Sequence, residues 1–208
     1  MAHRTVLCFG DSNTYGSIPG VVGGRFDWDV RWPGVLAREL AEGWRIIEEG
    51  LPGRTTVFDD PISPFRRGAD YLPPCLGSHA PLDVVVIFLG TNDLKARLSA
   101  GPSDMAEGVG VLVQMVLDSA SGPAGTAPRV IVLGLPRLGA ALGPEFDGAA
   151  AKAAELPGYL AEQTRALGVD LLDLSQLVTY SAVDGFHLDP EGHATIGRAV
   201  AGLLRAAS

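Results

Sequence analysis

The sequence predicts an α/β protein in which a parallel sheet carries helices on both faces. Short, β-branched apolar runs, such as Val84-Val85-Val86-Ile87-Phe88, alternate along the chain with segments of helical periodicity. Several of those runs end in a glycine followed by polar residues, as a buried strand does when it delivers a loop to one edge of a sheet.

The first strand is expected over residues 5–9, with Gly10-Asp11-Ser12-Asn13-Thr14 in the loop at its tip. Residues 16–24 are glycine-rich and lack either periodicity, and 25–32, reading RFDWDVRW, suits a pocket wall or a surface turn. Pro33 fits a first helical turn that puts Val35, Leu36 and Leu40 on one face and ends near Gly43. The second strand covers 45–48. Residues 50–74 then read as one long functional loop, because Pro52, Gly53, Pro61, Pro64, Gly68, Pro73 and Pro74 are dispersed through it.

Residues 83–89 are the third strand, leading into Gly90-Thr91-Asn92-Asp93. Ser103 is the expected cap of a helix whose Met105, Val109, Leu112, Val113, Val116 and Leu117 form a core stripe, with Gly122 and Pro123 closing it. The fourth strand is 129–133. A helix over 149–167 is expected to break at Pro157-Gly158, and the fifth strand covers 169–174. Asp189 as cap and Pro190 in the first turn begin the last helix, with Ile196, Val200, Leu203 and Leu204 facing the core.

Composition narrows the function classes. At 208 residues, 47% hydrophobic and 19% charged, the chain suits one domain, 1–208, with a sizeable core. A net charge of -8 disfavours nucleic acid and anionic membrane as partners. Glycines and charges interrupt every apolar run before membrane-spanning length, and the N-terminus shows no export signal, so a cytoplasmic location is expected. Cys8 and Cys75 lack metal-type spacing and read as reduced thiols. Neither a phosphate-binding glycine loop nor a zinc-ligand pattern is present, and Thr14 stands where a Gly-x-Ser-x-Gly elbow needs its last glycine.

In open parallel sheets ligands sit outside the carboxyl ends of the strands. Ser12 follows strand one, Gly53 strand two, Asn92 strand three, and Asp184 and His187 strand five, so candidate catalytic groups gather on one edge. A serine nucleophile needs a base, a group that orients the base, and donors for the oxyanion. His187 suits the base and Asp184, three residues earlier, its orienting partner; the Asn92 amide and the N–H groups of Ser12 and Gly53 suit the donors. Singly, each residue reads as a cap or turn; their convergence favours catalysis. His193 competes with His187 but lies within the last helix, where a surface or core-edge ring is expected. Asp11 suits a local bond that fixes the Ser12 loop, and Cys8 is too buried to react. Lys95 and Arg97 read as solvated loop charges, with attraction of an anionic substrate as the alternative.

GDSNT at 10–14, the glycine of GLPGRTT at Gly53, GTND at 90–93 and DGFH at 184–187 together resemble the four blocks of the SGNH (GDSL) hydrolase superfamily. CFGDS, VRW, EEGL, DDP, YLP and PLDVVVIFLGTND extend the likeness to the mycobacterial-type arylesterase/acyltransferase branch along nearly the whole chain. The resemblance implies a flavodoxin-like three-layer α/β/α sandwich, here with a five-stranded parallel sheet. It also implies a Ser12, Asp184, His187 triad, an oxyanion hole of Ser12, Gly53 and Asn92, and ester hydrolysis with no metal or organic cofactor. Departures are Asn13 and Ser17, where that branch has large apolar residues.

The expected activity is a serine esterase working on short-chain esters through an acyl-enzyme, with transfer to alcohols as an extension. An O-acetyl sugar deacetylase, suggested by polar Asn13 and Ser17, is the runner-up, and a non-catalytic binding protein is the rival from another class. The expected partner is a small-molecule ester, self-association into a homo-oligomer is left open, and Trp28 and Trp32 suit either a pocket or an interface.

Overall fold

The computed structural model describes residues 3–40 and 42–206. Strands β1 (Arg4–Gly10), β2 (Trp44–Gly50), β3 (Val84–Phe88), β4 (Arg129–Leu133) and β5 (Asp170–Leu172) form one parallel sheet in the order β2-β1-β3-β4-β5. Every residue of β3 is buried, which is why it reads as a continuous apolar run rather than an alternating one. The helices are α1 (Ser12–Tyr15), α2 (Trp32–Leu40), α3 (Gly68–His79), α4 (Pro102–Asp118), α5 (Ala149–Leu167) and α6 (Pro190–Ala206). α2 packs on α6 as one layer, and α3, α4 and α5 pack side by side as the other. This is the predicted three-layer sandwich with flavodoxin-like strand order.

The order reverses direction at β1 and β3, and that switch point opens a crevice at the carboxyl edge. β1 pairs with β3 from Val6 opposite Val84 to Gly10 opposite Phe88, so the loops carrying Ser12 and Asn92 emerge side by side. β5, by contrast, lies three strand spacings from β1, about 14 Å. Residues that merely followed β5 would be out of reach of Ser12.

The segment after β5 closes that gap by running back across the carboxyl edge. It first pairs with the loop after β4, Arg137 N–H donating to the Val178 carbonyl at 3.0 Å and Tyr180 N–H to the Arg137 carbonyl at 2.8 Å. The Tyr180 hydroxyl then meets the Thr91 hydroxyl beyond β3 at 2.8 Å. Finally Leu188 N–H donates to the Asn13 side chain beyond β1 at 3.0 Å.

Several elements differ from expectation. α3 occupies the end of the predicted long loop and runs through Pro73 and Pro74. The prolines remove the N–H groups that would bond the Ala69 and Asp70 carbonyls, but Leu72, Cys75 and Leu76 bury a core face that holds the helix. α5 continues through Pro157 for the same reason, with Leu156, Leu160 and Thr164 buried along one side. α4 begins earlier than Ser103: Gly101 precedes its first turn, and its N–H donates to the Asp104 carboxylate at 3.0 Å. β5 is shorter, because Asp173 accepts from Ser175 N–H at 2.9 Å and turns the chain out of the sheet.

Tyr180 is 2% exposed, so its hydroxyl bond to Thr91 is one of the ties that lay the returning segment over β3. Replacing Tyr180 by Phe removes that tie and leaves the Thr91 hydroxyl without it. The expected cost is about 1–2 kcal/mol in a urea unfolding titration, and an unchanged midpoint would show that the segment is held without this bond.

Candidate active site

Ser12 opens the single-turn helix α1 at the tip of β1. Asp11 caps that turn, its Oδ1 accepting from Asn13 N–H at 2.8 Å. Gly10 must lack a side chain, since a Cβ there would lie 2.0 Å from Thr14 Oγ1 and 2.8 Å from the Phe88 carbonyl. Burial pushes the Asp11 carboxyl up to about 6, against hydrogen bonds from Asn13 and Thr91 that favour its charged form. Trp32, wholly buried, donates its indole N–H to Thr14 Oγ1 at 3.3 Å, so it supports this turn from below. Trp28 is half exposed, with the Arg31 guanidinium 5.3 Å from its ring.

Asp184 and His187 form a tight pair. Asp184 Oδ2 lies 2.8 Å from His187 Nδ1 and also accepts from Gly20 N–H at 3.0 Å. Its Oδ1 accepts from the His187 N–H at 3.1 Å and the Phe186 N–H at 3.3 Å. Burial pushes this carboxyl up, but the His187 bond and the backbone donors outweigh it and leave the pKa below its ordinary value. A charged carboxylate accepts only, so Nδ1 carries the proton of this bond and Nε2 is the ring nitrogen turned away from Asp184.

The loops after β2 and β3 are locked together. Asn92 Nδ2 donates to the Arg54 carbonyl at 3.1 Å and lies 3.5 Å from Asp11 Oδ2. Asp93 accepts from Thr56 N–H at 3.1 Å and from the Thr56 hydroxyl. The Arg54 guanidinium donates to the Gly10 carbonyl at 2.9 Å and sits 4.3 Å from the centre of the Phe9 ring, tying the loop to β1. Gly53 rides on this loop at φ +82°, a conformation that suits glycine.

Ser12, Gly53, Asn92 and His187 together line one cavity of about 240 Å3, with Asp184 held behind His187. Sequence reasoning assigned all five. The remaining lining is Ser17 and Lys95, which sequence reasoning raised in connection with the substrate, and Pro52, Glu145 and the tilted rings of Phe146 and Phe186, 4.7 Å apart between centres, to which it gave no place in the site. Pro52 directly precedes the motif glycine and Phe186 lies within DGFH, but no local signal points to Glu145. A larger cavity of about 480 Å3 lies between Pro136, α5 and Ser175, but it is lined by neither histidine nor carboxylate.

Four expectations are corrected. Arg97 is no solvated loop charge: it grips the buried Asp60 through two bonds of 2.9 and 2.6 Å, which pull that carboxyl down to about 2. Lys95 lies 3.9 Å from the same carboxylate and is partly desolvated. His193 is wholly buried rather than at a surface or core edge, with Nδ1 accepting from Trp32 N–H at 3.3 Å. Asn13, at 1% exposure, is turned inward and does not line the cavity, whereas Ser17 does.

Cys8 is buried and its thiol is pushed well above the ordinary range. Cys75, which sequence spacing separates from any ligand set, meets Glu49 and His79, the three donor atoms all within 4.8 Å. His79 Nε2 pairs with Glu49 Oε1 at 2.8 Å, burial and the Glu49 charge push the Cys75 thiol up to about 12, and the Arg54 guanidinium supplies the local counter-charge. None of the three lines the Ser12 cavity.

Residues 8–195 match the GDSL-like lipase/acylhydrolase family. The chain belongs to that family. It is 41% identical to the native aryl esterase of M. smegmatis, over 98% of this chain and 99% of that one, with a TM-score of 0.91. Est24, a carbohydrate acetylesterase from Sinorhizobium meliloti, is 39% identical over 99% and 100% of the two chains, with a TM-score of 0.92. A putative arylesterase from Agrobacterium tumefaciens is 37% identical over 98% and 99%, with a TM-score of 0.89. No curated protein matches the chain. The protein is thus a carboxylic ester hydrolase, and the binding-protein rival gives way. No helix among the described residues is long and apolar enough to cross a membrane.

Burial pushes the His193 pKa down to about 3, with the Arg31 and His187 charges adding to the effect. The native ring therefore stays neutral while the unfolded ring, at the ordinary histidine value of 6.5, takes up a proton. Unfolding then binds a proton between about pH 6.5 and 3, and stability falls as pH drops through that window, by up to about 1.4 kcal/mol per pH unit. His193→Gln is expected to flatten this part of the stability profile. Parallel pH profiles from denaturant melts check it, and equal slopes in both proteins would refute the assignment.

Proposed function

We propose that the chain is a serine esterase that hydrolyses short-chain carboxylic esters through an acyl-enzyme. The observation that carries this reading is the convergence of Ser12, Gly53, Asn92 and His187 on one cavity, with Asp184 fixing the imidazole. In the proposed reaction His187 Nε2 takes the Ser12 proton as Oγ attacks the ester carbonyl. The oxyanion meets the N–H groups of Ser12 and Gly53 and the Asn92 amide. Ser12 N–H belongs to a first helical turn, which has no intrahelical partner, and the bond to the Arg54 carbonyl holds the amide of Asn92 in place. His187 then returns the proton to the leaving alcohol, and water, activated by the same ring, releases the acid.

The cavity size supports a small ester. About 240 Å3 falls below the roughly 300–1,000 Å3 of sites that enclose drug-sized ligands. An O-acetylated sugar is the second reading, favoured by Ser17, Lys95 and Glu145 in the lining and by the likeness to a carbohydrate acetylesterase. Asn13 no longer contributes to it. Transfer of the acyl group to an alcohol is a further proposal, supported by the apolar Phe146 and Phe186 walls beside the polar groups.

Ser12→Ala is expected to abolish p-nitrophenyl acetate turnover, and a retained rate would remove Ser12 from the reaction. Asn92→Ala is expected to lower kcat about 10²- to 10³-fold with the fold intact. A series of p-nitrophenyl esters should peak at acetate to butyrate; a maximum at octanoate or longer contradicts the short-acyl reading. Comparing acetylated xylose with phenyl acetate decides between the two substrate classes, and product ratios at high alcohol concentration decide the transfer proposal.

A further inference from the structure

Asn13, immediately after the nucleophile, makes two bonds that straddle the proposed base. Its Oδ1 accepts from Leu188 N–H at 3.0 Å, and its Nδ2 donates to the Phe186 carbonyl at 3.1 Å. The residue between those two is His187. The amide therefore docks against the base loop as a neighbouring strand would, offering one donor and one acceptor to the same stretch of backbone. The amide is 1% exposed and its own N–H is held by Asp11, so it is fixed from its own side as well.

The geometry points to Asn13 as a positioning residue that sets the Ser12 to His187 separation. Asp184 orients the imidazole ring and belongs to the same loop as His187; its bond from Gly20 N–H at 3.0 Å ends beyond the turn that carries Ser12, so it does not fix the base against that turn directly. Among the bonds of the returning segment, the Tyr180 contact ends on the loop after β3. The Asn13 bonds alone in that series reach the turn that carries the nucleophile. Only a primary amide meets both needs in this space. An ionised carboxylate of the same shape has no proton for the Phe186 carbonyl, and an aliphatic side chain leaves both backbone groups unpaired in a buried place.

A misplaced imidazole has a kinetic signature. His187 must both take the Ser12 proton and deliver it to the leaving alcohol, and the second task matters most for a poor leaving group. A displacement of about 1 Å can cost about 10²-fold in rate. The inference rests on the serine-esterase reading above, so Ser12→Ala is carried in parallel.

The test compares kcat/KM, which reports acylation, for p-nitrophenyl acetate and ethyl acetate in wild type, Asn13→Leu and Asn13→Asp. Both Asn13 variants are expected to lose about 10²-fold on ethyl acetate and at least tenfold less on p-nitrophenyl acetate. An equal loss on the two esters, or rates within about threefold of wild type on both, overturns the positioning role. Failure of both variants to fold, read by thermal melts, also overturns it, since the amide would then be supporting the fold rather than aiming the ring. If Ser12→Ala keeps its activity, the esterase reading itself fails; if it is inactive while the leaving-group bias is absent, only the role of Asn13 does.

Discussion

Everything at the carboxyl edge depends on one geometric constraint: the proposed nucleophile leaves the middle of the sheet and the proposed base leaves from its margin. β1 lies between β2 and β3, while β5 is the far edge strand. Parallel strands with helical crossovers allow no shorter route, because each strand must enter from the same end. The chain after β5 therefore crosses back over β4 and β3 before it meets Asn13, hydrogen-bonding the loop beyond each strand it passes. Backbone polar groups in such a path need partners, and the partners double as the registration that locates His187.

The other half of the site is organised by buried charge. Asp11 and Asp93 are both raised to about 6, first by burial, which shows how strongly the interior opposes their ionised forms. Their hydrogen bonds tie different loops: Asp11 accepts within the Ser12 turn and from Thr91 beyond β3, and Asp93 reaches across to Thr56 beyond β2. Arg54 completes the set, its guanidinium bonded to the end of β1 and its carbonyl receiving the Asn92 amide. The loop that carries Gly53 is consequently pinned at both of its neighbours. Sites built on loops gain precision when such outer contacts are satisfied.

Family membership and cavity composition address different levels of the chemistry. The match over residues 8–195 and the likeness to aryl and carbohydrate esterases establish ester hydrolysis. The rest of the cavity wall comes mostly from outside the four motifs: Phe146 beside Phe186 of the DGFH block, with Ser17, Lys95 and Glu145 among the polar lining. Lys95 is tethered to Asp60, beside the Arg97 pair, so its position follows from a loop contact remote in sequence from the nucleophile.

Sequence alone determined the strands, because buried β-branched runs such as β3 report their own environment, and β4 matches its expected bounds. It also singled out Ser12, Gly53, Asn92, Asp184 and His187 as candidates, since each comes after a strand and the parallel arrangement sends such loops to one edge, but the returning segment is what brings His187 to the cavity shared with Ser12. Tertiary structure decided what local preference opposes or ignores. α3 passes through two prolines and α5 through one because their apolar faces are buried against neighbours that the local chain does not contain. His193 and Asn13 look exposed or substrate-facing by position, yet one is sealed beneath Trp32 and the other grips the base loop. Both outcomes depend on strand order, which brings residues 13 and 188 together, and no periodicity or motif in either segment encodes that meeting.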